Sequence, residues 1–211
     1  MPSFIEEELL AAQGYRLIAG VDEAGRGALA GPVVAAAVIL PRDLNVPWLV
    51  EVDDSKQLTP AKREHLFQYI QETAVAIGVG AAPHEMVDKK GIVTATRLAM
   101  KQAVDKLSPP AESLLIDYMR LPEVRLPQKG ITHGDSLCLS IACASIIAKV
   151  ARDRMMVAFD RDYPGYGLAR HKGYGTSQHF ACLSRLGPCP IHRRTFSPVK
   201  DIIFYRRLSG E

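Results

Sequence analysis

The chain has 211 residues, of which 47% are hydrophobic and 23% are charged. These are the proportions of an ordinary globular domain, and they exclude an intrinsically disordered protein. The longest uncharged runs, 27–41 and 136–148, are shorter than the roughly 20 apolar residues that a membrane span needs. The acidic first ten residues do not fit a secretory signal. We therefore expect a cytoplasmic protein without membrane contact, folded as a single domain over residues 1–211.

Charge is distributed unevenly along the chain. From Ser145 onward there are 12 Lys and Arg against 5 Asp and Glu, or +7, whereas the preceding part has 14 against 18, or −4. The total charge of the chain is only +3, and yet its C-terminal third is basic. This suggests a surface for a polyanion, of which nucleic acid is the favoured candidate. An ordinary solvated charged face would explain the same count equally well.

Three apolar segments joined by short connections predict an antiparallel meander. They span 16–22, 33–40 and 74–82, and glycine, proline or acidic residues bound them. A fourth, short strand is predicted over Ser113–Asp117, and like the first it ends in an acid. Because helical patterns alternate with strands after the meander, the sequence predicts an α/β domain with a mixed sheet.

Helix signals lie between and after these strands. The clearest predicts a helix over 60–73, for which Thr59 is the N-cap and a proline occupies the first turn. A long helix is predicted over 136–160, with Asp135 or Ser136 as its N-cap. The remaining helical patterns cover 84–89, 93–107 and 176–186, and they are followed by a basic tail over 191–211.

Acidic residues stand where strands end or a helix begins. Asp22, followed by Glu23, ends the first strand, Asp117 ends the fourth, and Asp135 precedes the long helix. Open α/β sheets form their ligand crevices at the carboxyl ends of strands. Buried carboxylates are costly unless they are paired or ligated, and four converging acids would form an oxygen-rich site for Mg²⁺ or Mn²⁺. Each acid alone is explained as a turn residue or helix cap, but together they favour phosphoryl chemistry.

Two glycine-containing loops accompany the acids. The first, Gly25–Gly31, is not a dinucleotide-binding loop, because Pro32 and a β-rich segment follow it and leave no helix N-terminus for a pyrophosphate. Its glycines instead allow the backbone to approach a substrate closely, although a hairpin turn would also explain them. The second, Arg170–Thr176, combines cations with Tyr174 between glycines. This composition suits a sugar-phosphate backbone, and equally an ordinary surface turn.

In chain order, these motifs resemble those of the bacterial ribonuclease HII family. The resemblance covers nearly the whole chain and is carried by Asp22–Gly27, Leu29–Val38, Asp54–Lys56, Ile116–Asp117, Gly134–Ser136, the predicted helix over 141–155, His171–Thr176, His179 and Ile191–Phe196. It implies a ribonuclease H-like fold, in which a mixed five-stranded sheet is flanked by helices. It also implies that a helical and basic C-terminal segment, about 191–211, packs on this single catalytic domain.

The resemblance implies an activity as well. The expected enzyme is an endoribonuclease that cleaves the RNA strand of RNA/DNA hybrids and nicks duplex DNA 5′ of a single ribonucleotide, leaving 3′-hydroxyl and 5′-phosphate ends. Two divalent ions, Mg²⁺ or Mn²⁺, would be held by the four catalytic acids, Asp22, Glu23, Asp117 and Asp135. The nucleic-acid substrate is the only partner expected, so the resemblance implies a monomer without an obligate protein partner.

The resemblance further implies how the ribonucleotide is recognised. Gly25, Arg26 and Gly27 would contact its 2′-hydroxyl largely through backbone groups, and Tyr174 would pack against the deoxyribose on the 3′ side. These roles fit the physics, because the 2′-hydroxyl is the group by which a protein distinguishes RNA from DNA. Further substrate contacts are expected from three lysines, Lys56, Lys149 and Lys172.

The sequence departs from the family pattern at three positions. Ala28 replaces a proline, Tyr118 follows Asp117 where glycine is common, and His171 stands where asparagine is frequent. We expect a slightly looser glycine loop from Ala28 and crowding near the second metal from Tyr118. Two other hypotheses are consistent with the residues. One is a related metal nuclease that cuts all-DNA substrates, such as a junction resolvase, and the other is a nucleic-acid-binding module without catalysis.

Overall fold

A computed structural model of the chain describes residues 2–53, 55 and 57–209. Its strands form one sheet and are β1 (Ile18–Ala24), β2 (Val33–Ile39), β3 (Ala76–Ala82), β4 (Ser113–Asp117) and β5 (Gln128–Ile131). Their order across the sheet is β3-β2-β1-β4-β5. The first three pair antiparallel, whereas β4 pairs parallel with both β1 and β5. The predicted mixed five-stranded sheet, with its antiparallel meander, is confirmed.

Helices flank this sheet. Those in the described part of the chain are α1 (Ile5–Ala12), α2 (Pro60–Thr73), α3 (His84–Lys90), α4 (Ile92–Asp105), α5 (Gly134–Leu137), α6 (Leu139–Asp162), α7 (Leu168–His171), α8 (Ser177–Leu186) and α9 (Val199–Ser209), with a 3₁₀ turn at Pro47–Glu51. The bounds of α2 are those predicted, and the hydroxyl of Thr59 accepts a hydrogen bond from the amide of Lys62 at 3.3 Å. Within the described residues, no helix has both the length and the apolar character that a bilayer crossing requires.

The two faces of the sheet bury separate cores. Side chains alternate along a strand, so that Val21 and Ala37 face α4 on one side, while Ala36 and Val38 face α6 on the other. Helix α6 crosses β1 very closely at Gly20, where an added Cβ would lie 2.1 Å from a backbone carbon of α6. Asp22 lies two residues further along the same strand face, and it therefore points toward α6.

The long helix begins differently from its prediction. The expected helix from Ser136 is replaced by the short helix α5, which ends before Cys138, and by α6, which begins at Leu139. Cys138 has extended backbone angles, and neither Asp135 nor Ser136 caps α6. The predicted cap is therefore wrong.

Residues near the beginning of the chain supply the cap instead. The Oε1 atom of buried Glu7 in α1 accepts hydrogen bonds from the amide of Ser140, at 2.9 Å, and from the thiol of Cys138, at 3.1 Å. The carbonyl of Ser3 accepts a further bond from the amide of Leu139 at 3.1 Å. A carboxylate at this position also interacts favourably with the dipole of α6. The helix start thus depends on a segment about 130 residues away, which local signals do not reveal.

The C-terminal segment runs beside the glycine loop. The amide of Gly31 donates to the carbonyl of Ile191 at 2.9 Å, and the amide of Arg193 donates to the carbonyl of Leu29 at 2.8 Å. Helix α9 follows, and its buried Val199 lies in a small apolar cluster with Leu29. What the sequence describes as a basic tail therefore contains a helix and is hydrogen-bonded to the segment that follows β1.

Candidate active site

The register of the sheet brings acidic residues together at its edge. Val21 of β1 pairs with Ile116 of β4 in a parallel ladder, so that Asp22 and Asp117 are neighbours at the carboxyl ends of adjacent strands. Asp22, Glu23 and Asp117 form a group in which one carboxylate oxygen from each lies within 4.8 Å of the others. Asp22 is buried, and the other two are half-buried. We call this group the carboxylate cluster.

Asp135 lies next to the carboxylate cluster but is not one of its members. It is only 5% exposed, at the start of α5. The preceding residue, Gly134, donates its amide proton to Oδ1 of Asp117 at 2.7 Å. His133 has a left-handed backbone, φ 57°, and turns the chain from β5 into α5. The fourth predicted acid is thus held at the rim of the cluster through the backbone of its neighbour.

The carboxylate cluster is electrostatically unfavourable without a cation. Burial, followed by the charges of Glu23 and Asp117, raises the pKa of Asp22 well above its usual value. Burial also raises the pKa of Glu23, although the Arg26 guanidinium, 3.2 Å from Glu23 Oε1, opposes the shift. The Oε2 atom of Glu23 is buried and has no hydrogen-bond partner among the described residues. Such a set of hard oxygen donors fits a divalent cation, which would satisfy this oxygen and offset the repulsion.

Most of the predicted substrate residues line the cleft that contains the carboxylate cluster. This cleft has a volume of about 500 Å³, and its wall includes Gly25, Arg26, Gly27, Lys149 and Tyr174. The ammonium of Lys149 is 2.7 Å from Asp153 Oδ1 and 5.3 Å from the centre of the Tyr174 ring. The acids, the glycine loop and the aromatic ring therefore face one common space.

Of the other two predicted lysines, Lys172 does not line this cleft. Lys172 has a left-handed backbone, φ 54°, and its ammonium donates to the carbonyl of Ala169 in α7. Its side chain borders a neighbouring groove, which shares Arg63 with the cleft. Lys56 lies outside the described residues.

Tyr118 does not crowd the carboxylate cluster as expected. Its backbone has φ 62°, the left-handed region in which glycine is favoured. This conformation leaves the side chain 66% exposed. The glycine that is common at this position in the family matches the backbone angle, whereas the tyrosine adopts it at some conformational cost.

A buried arginine of α6 holds the glycine loop from beneath. Arg152 is fully buried, and its guanidinium donates to the carbonyls of Pro32 at 2.9 Å, Ala30 at 3.0 Å and Lys172 at 2.9 Å. Gly25 lies directly against it, with φ 93°, and a Cβ added there would be 2.0 Å from Nε of Arg152. Only glycine fits this contact.

A second buried arginine holds the other side of the same loop. Arg193 donates to the carbonyls of Gly25 and Arg26, both at 2.7 Å, and to that of Gly31 at 3.0 Å. Burial, together with the positive charge of Arg152, lowers its pKa to about 9. Sequence reasoning assigned no role to either arginine, because arginine is rarely fully buried. Since both side chains bind backbone carbonyls, the net charge of the C-terminal third overstates its surface charge.

Two hydroxyl groups support Asp22 from the side of α6. Ser145 hydrogen-bonds to the Asp22 carboxylate, and its Oγ is 2.8 Å from Oγ of Ser55. The carbonyl of Ser55 in turn accepts a bond from Arg63 at 2.6 Å. The serine of the Asp54–Lys56 motif is therefore connected to the carboxylate cluster, a role that the motif alone does not indicate.

The fold and the site together define a class. A mixed sheet with acids at the adjacent ends of β1 and β4 is the architecture of ribonuclease H-like nucleases. Among solved structures, the chain is similar to ribonuclease H2 from Pyrococcus horikoshii OT3, with a TM-score of 0.75 and 26% sequence identity, over 90% of this chain and 98% of that one.

The sequence comparisons identify the family within this class. The family model for ribonuclease HII matches residues 19–199, and the chain belongs to that family. It is 59% identical to ribonuclease HII of Dehalococcoides mccartyi, over 96% of this chain and 95% of the relative. It is 55% identical to ribonuclease HII of Geobacter metallireducens, over 92% and 90%. Members of this family are hydrolases, endoribonucleases that act on RNA/DNA hybrids.

Proposed function

We propose that this chain cleaves the RNA strand of RNA/DNA hybrids and nicks duplex DNA 5′ of a single ribonucleotide, leaving 3′-hydroxyl and 5′-phosphate ends. The observation that carries the proposal is the single cleft shared by the carboxylate cluster, the glycine loop and Tyr174. Acids suited to phosphodiester hydrolysis thus face a backbone loop and an aromatic ring suited to reading a sugar. Membership of the ribonuclease HII family supports the same conclusion.

The carboxylates would hold two divalent ions, Mg²⁺ or Mn²⁺. Two observations support this assignment: Oε2 of Glu23 has no hydrogen-bond partner within the described part of the chain, and the pKa of Asp22 is raised. A bound cation would relieve both. When bound, two such ions supply an activated water and stabilise the departing oxygen of a phosphodiester. Asp22, Glu23 and Asp117 would be direct ligands, and Asp135 would complete the site from its rim.

The glycine loop would recognise the 2′-hydroxyl through its amides. The carbonyls of Gly25 and Arg26 point inward to the Arg193 guanidinium. In a trans peptide the N–H points opposite to the C=O. The amides of Arg26 and Gly27 therefore point away from Arg193, on a segment that lines the cleft. They are placed to donate to a ribose oxygen.

Tyr174 would contact the sugar of the nucleotide on the 3′ side of the ribonucleotide. The Arg152 guanidinium lies 5.2 Å from the centre of its ring, and the Lys149 ammonium lies at a similar distance. Arg152 is buried behind the ring, so Lys149 and the ring, which both line the cleft, form the surface for a sugar and its phosphate. A deoxyribose leaves room for the ring, whereas a ribose would place its 2′-hydroxyl against it. The side chain thereby favours cleavage at a junction from RNA to DNA.

We further propose that the chain is a single catalytic domain on which residues 191–211 pack, acting as a monomer in the cytoplasm without an obligate protein partner. The backbone bonds of Gly31 and Leu29 to the segment 191–193 support this arrangement. They make the C-terminal segment part of the cleft's support.

The decisive experiment uses a labelled DNA duplex that contains one ribonucleotide, incubated with Mg²⁺, Mn²⁺ or EDTA beside an all-DNA duplex. We expect a metal-dependent nick 5′ of the ribonucleotide and an intact all-DNA control. Cleavage of the control would instead identify a DNA nuclease. Binding without cleavage under either metal would identify a nucleic-acid-binding module and contradict the proposal.

A further inference from the structure

Three histidines are packed together beneath the loop that carries Tyr174. His179 in α8 and His192 are fully buried, and His171 is nearly so. The Nε2 atoms of His179 and His192 are 3.0 Å apart, and the rings of His171 and His179 stack with their centres 4.3 Å apart. None of these side chains reaches the cleft, and the proposed reaction gives none of them a role.

The hydrogen bonds of this group favour one proton arrangement. Nδ1 of His192 lies 3.0 Å from the amide and 3.2 Å from the carbonyl of Cys189. The amide contact is the shorter one and an amide can only donate, so we take Nδ1 as its acceptor and Nε2–H as the donor to His179. Nε2 of His179 is then the acceptor, and its Nδ1–H donates to the carbonyl of Tyr174 at 3.0 Å. The result is a continuous chain of hydrogen bonds from Cys189 to Tyr174 through two neutral rings.

This chain of hydrogen bonds connects the two proposed substrate-reading elements. At one end is the backbone of Tyr174, whose ring lines the cleft. At the other end is His192, which pairs with Ala30 near the end of the glycine loop. The two histidines thus join the Tyr174 loop to the segment that holds the glycine loop, through side chains that exclude water.

We propose that His179 and His192 are positioning residues, which hold Tyr174 at a fixed distance from the glycine loop and so set the preference for an isolated ribonucleotide. This inference rests on the proposed function, because it gives Tyr174 the task of contacting the 3′ sugar. A long RNA/DNA hybrid presents a ribose at that position, and its cleavage depends less on where the tyrosine lies.

The environment of the pair keeps it neutral at ordinary pH. Burial, reinforced by the neighbouring histidines, lowers the pKa of both His179 and His192 to about 4. The titratable groups that face the pair are His171, the Cys189 thiol, the Tyr166 ring and, at longer range, His84. None of them is an acid that would stabilise an imidazolium. Protonation of His179 at Nε2 would place two N–H groups opposite each other and break the bond between the rings, whereas protonation of His192 at Nδ1 would oppose the N–H of Cys189.

The test compares two substrates across matched variants. His179→Leu removes both hydrogen bonds of the ring, whereas His179→Asn keeps a donor near the position of Nδ1. Met100 lies in the core between the sheet and α4. The variant Met100→Ala therefore controls for a loss of stability alone. Initial rates are measured on a duplex with one ribonucleotide and on a uniform RNA/DNA hybrid, below each variant's unfolding temperature.

We expect His179→Leu to lower cleavage at the single ribonucleotide by about tenfold or more, because small displacements of a positioning group are costly. Cleavage of the uniform hybrid should change by less than about threefold. His179→Asn should recover much of the loss, and Met100→Ala should leave the ratio of the two rates unchanged. An equal loss on both substrates in His179→Leu would overturn the inference.

Tyr174→Ala separates this inference from the function on which it rests. If Tyr174→Ala selectively lowers single-ribonucleotide cleavage and His179→Leu does not, the positioning role fails and the proposed function stands. If Tyr174→Ala leaves that rate unchanged, the role of Tyr174 itself fails. When His179→Leu is added to Tyr174→Ala, cleavage at the single ribonucleotide should fall no further relative to cleavage of the uniform hybrid.

Nitrogen-15 spectra of the histidine rings test the proton arrangement without a variant. We expect the Nδ1–H tautomer for His179 and the Nε2–H tautomer for His192 at pH 7. The opposite tautomers, or two charged rings, would contradict the hydrogen-bond chain even if His179→Leu failed to fold.

Discussion

Buried charge is handled in opposite ways on the two sides of the cleft. In the carboxylate cluster, repulsion and burial raise the pKa of Asp22, and Oε2 of Glu23 has no partner among the described residues. Under the glycine loop, Arg152 and Arg193 are equally buried, but each donates to three backbone carbonyls. The acids require a cation from outside the chain, whereas the arginines are satisfied within it. The first group is suited to chemistry and the second to holding a shape.

The largest expected effect separates chemistry from stability within the carboxylate cluster. Asp22→Asn should lower the rate of nicking by about a thousandfold or more, since several kcal/mol of transition-state stabilisation are lost with a metal ligand. In EDTA, the same variant should be at least as stable as the wild type, because a repelled buried charge is removed. Nicking assays and thermal unfolding measure the two quantities. Full activity, or a marked loss of stability in EDTA, would contradict this account.

For the buried arginines, the main effect of a substitution should be a loss of stability. Arg193→Met leaves the carbonyls of Gly25, Arg26 and Gly31 without their donor, and we expect the free energy of unfolding to fall by about 3 kcal/mol or more. Arg193→Lys should recover only part of this loss, because an ammonium cannot reproduce the planar fork of donors. Urea unfolding at constant pH provides the measurement. A change below about 1 kcal/mol for Arg193→Met would show that water replaces the guanidinium.

A third comparison uses pH. The buried histidine pair and the carboxylate cluster should change the stability of the fold in opposite directions as the pH changes. The pKa of His179 and of His192 falls from 6.5 to about 4 on folding. As the pH drops through this range, the unfolded chain binds protons that the native chain does not, so stability decreases. We expect a loss of roughly 3 kcal/mol for each histidine between pH 6.5 and pH 4, because the two rings take up protons independently in the unfolded chain.

The carboxylate cluster works against this trend. Because the pKa values of Asp22 and Glu23 are raised on folding, their contribution to stability is present at low pH and is lost as the pH rises through the native values. The contributions of the histidine pair and of the carboxylate cluster are distinguished by urea unfolding of the wild type and of His192→Gln, in EDTA from pH 4 to pH 8. The glutamine does not titrate, so its profile should be flatter between pH 4 and pH 6.5. Identical profiles for the two proteins would contradict the assignment.

The smallest expected effect concerns the backbone beside the cluster. Tyr118→Gly relieves a left-handed conformation, φ 62°, but it also increases the entropy of the unfolded chain. These contributions nearly cancel, and we expect the free energy of unfolding to rise by no more than about 1 kcal/mol. Nicking should be unchanged, since the side chain is exposed. A drop of more than about 1 kcal/mol in urea unfolding would indicate that the ring makes a stabilising contact.

Elements with local signals are predicted closely from the sequence. The bounds of α2 follow from Thr59 and the proline after it, and β2 ends within one residue of its prediction because Pro32 and Pro41 bound it. The convergence of Asp22 and Asp117 also follows, because both lie near the carboxyl ends of apolar strands that become neighbours in one sheet. The predicted end of the first strand at Asp22 is wrong, since β1 continues to Ala24. In each case the evidence lies within a few residues of the feature.

Features that depend on distant parts of the chain are not predicted. Strand β5, Gln128–Ile131, is a polar edge strand without apolar alternation, and the resemblance gives only the number of strands. The positions of Asp135 and Lys172 relative to the cleft depend on left-handed backbone at His133 and at Lys172 itself. Residue type does not reveal such a conformation in a histidine or a lysine. The burial of Arg152 and Arg193 is likewise set by carbonyls far away in the sequence.

The cap that Glu7 gives to α6 has a consequence for synthesis on the ribosome. Helix α1 emerges first, and Ser140, the partner of Glu7, emerges 133 residues later. Only when α6 has also emerged can its first turn be completed, and α6 carries Ser145, which hydrogen-bonds to Asp22. The active site is therefore assembled late during translation, after most of the sheet has been made. Until then, α1 can pack only against β1 and β4, through Leu10 and Ala11.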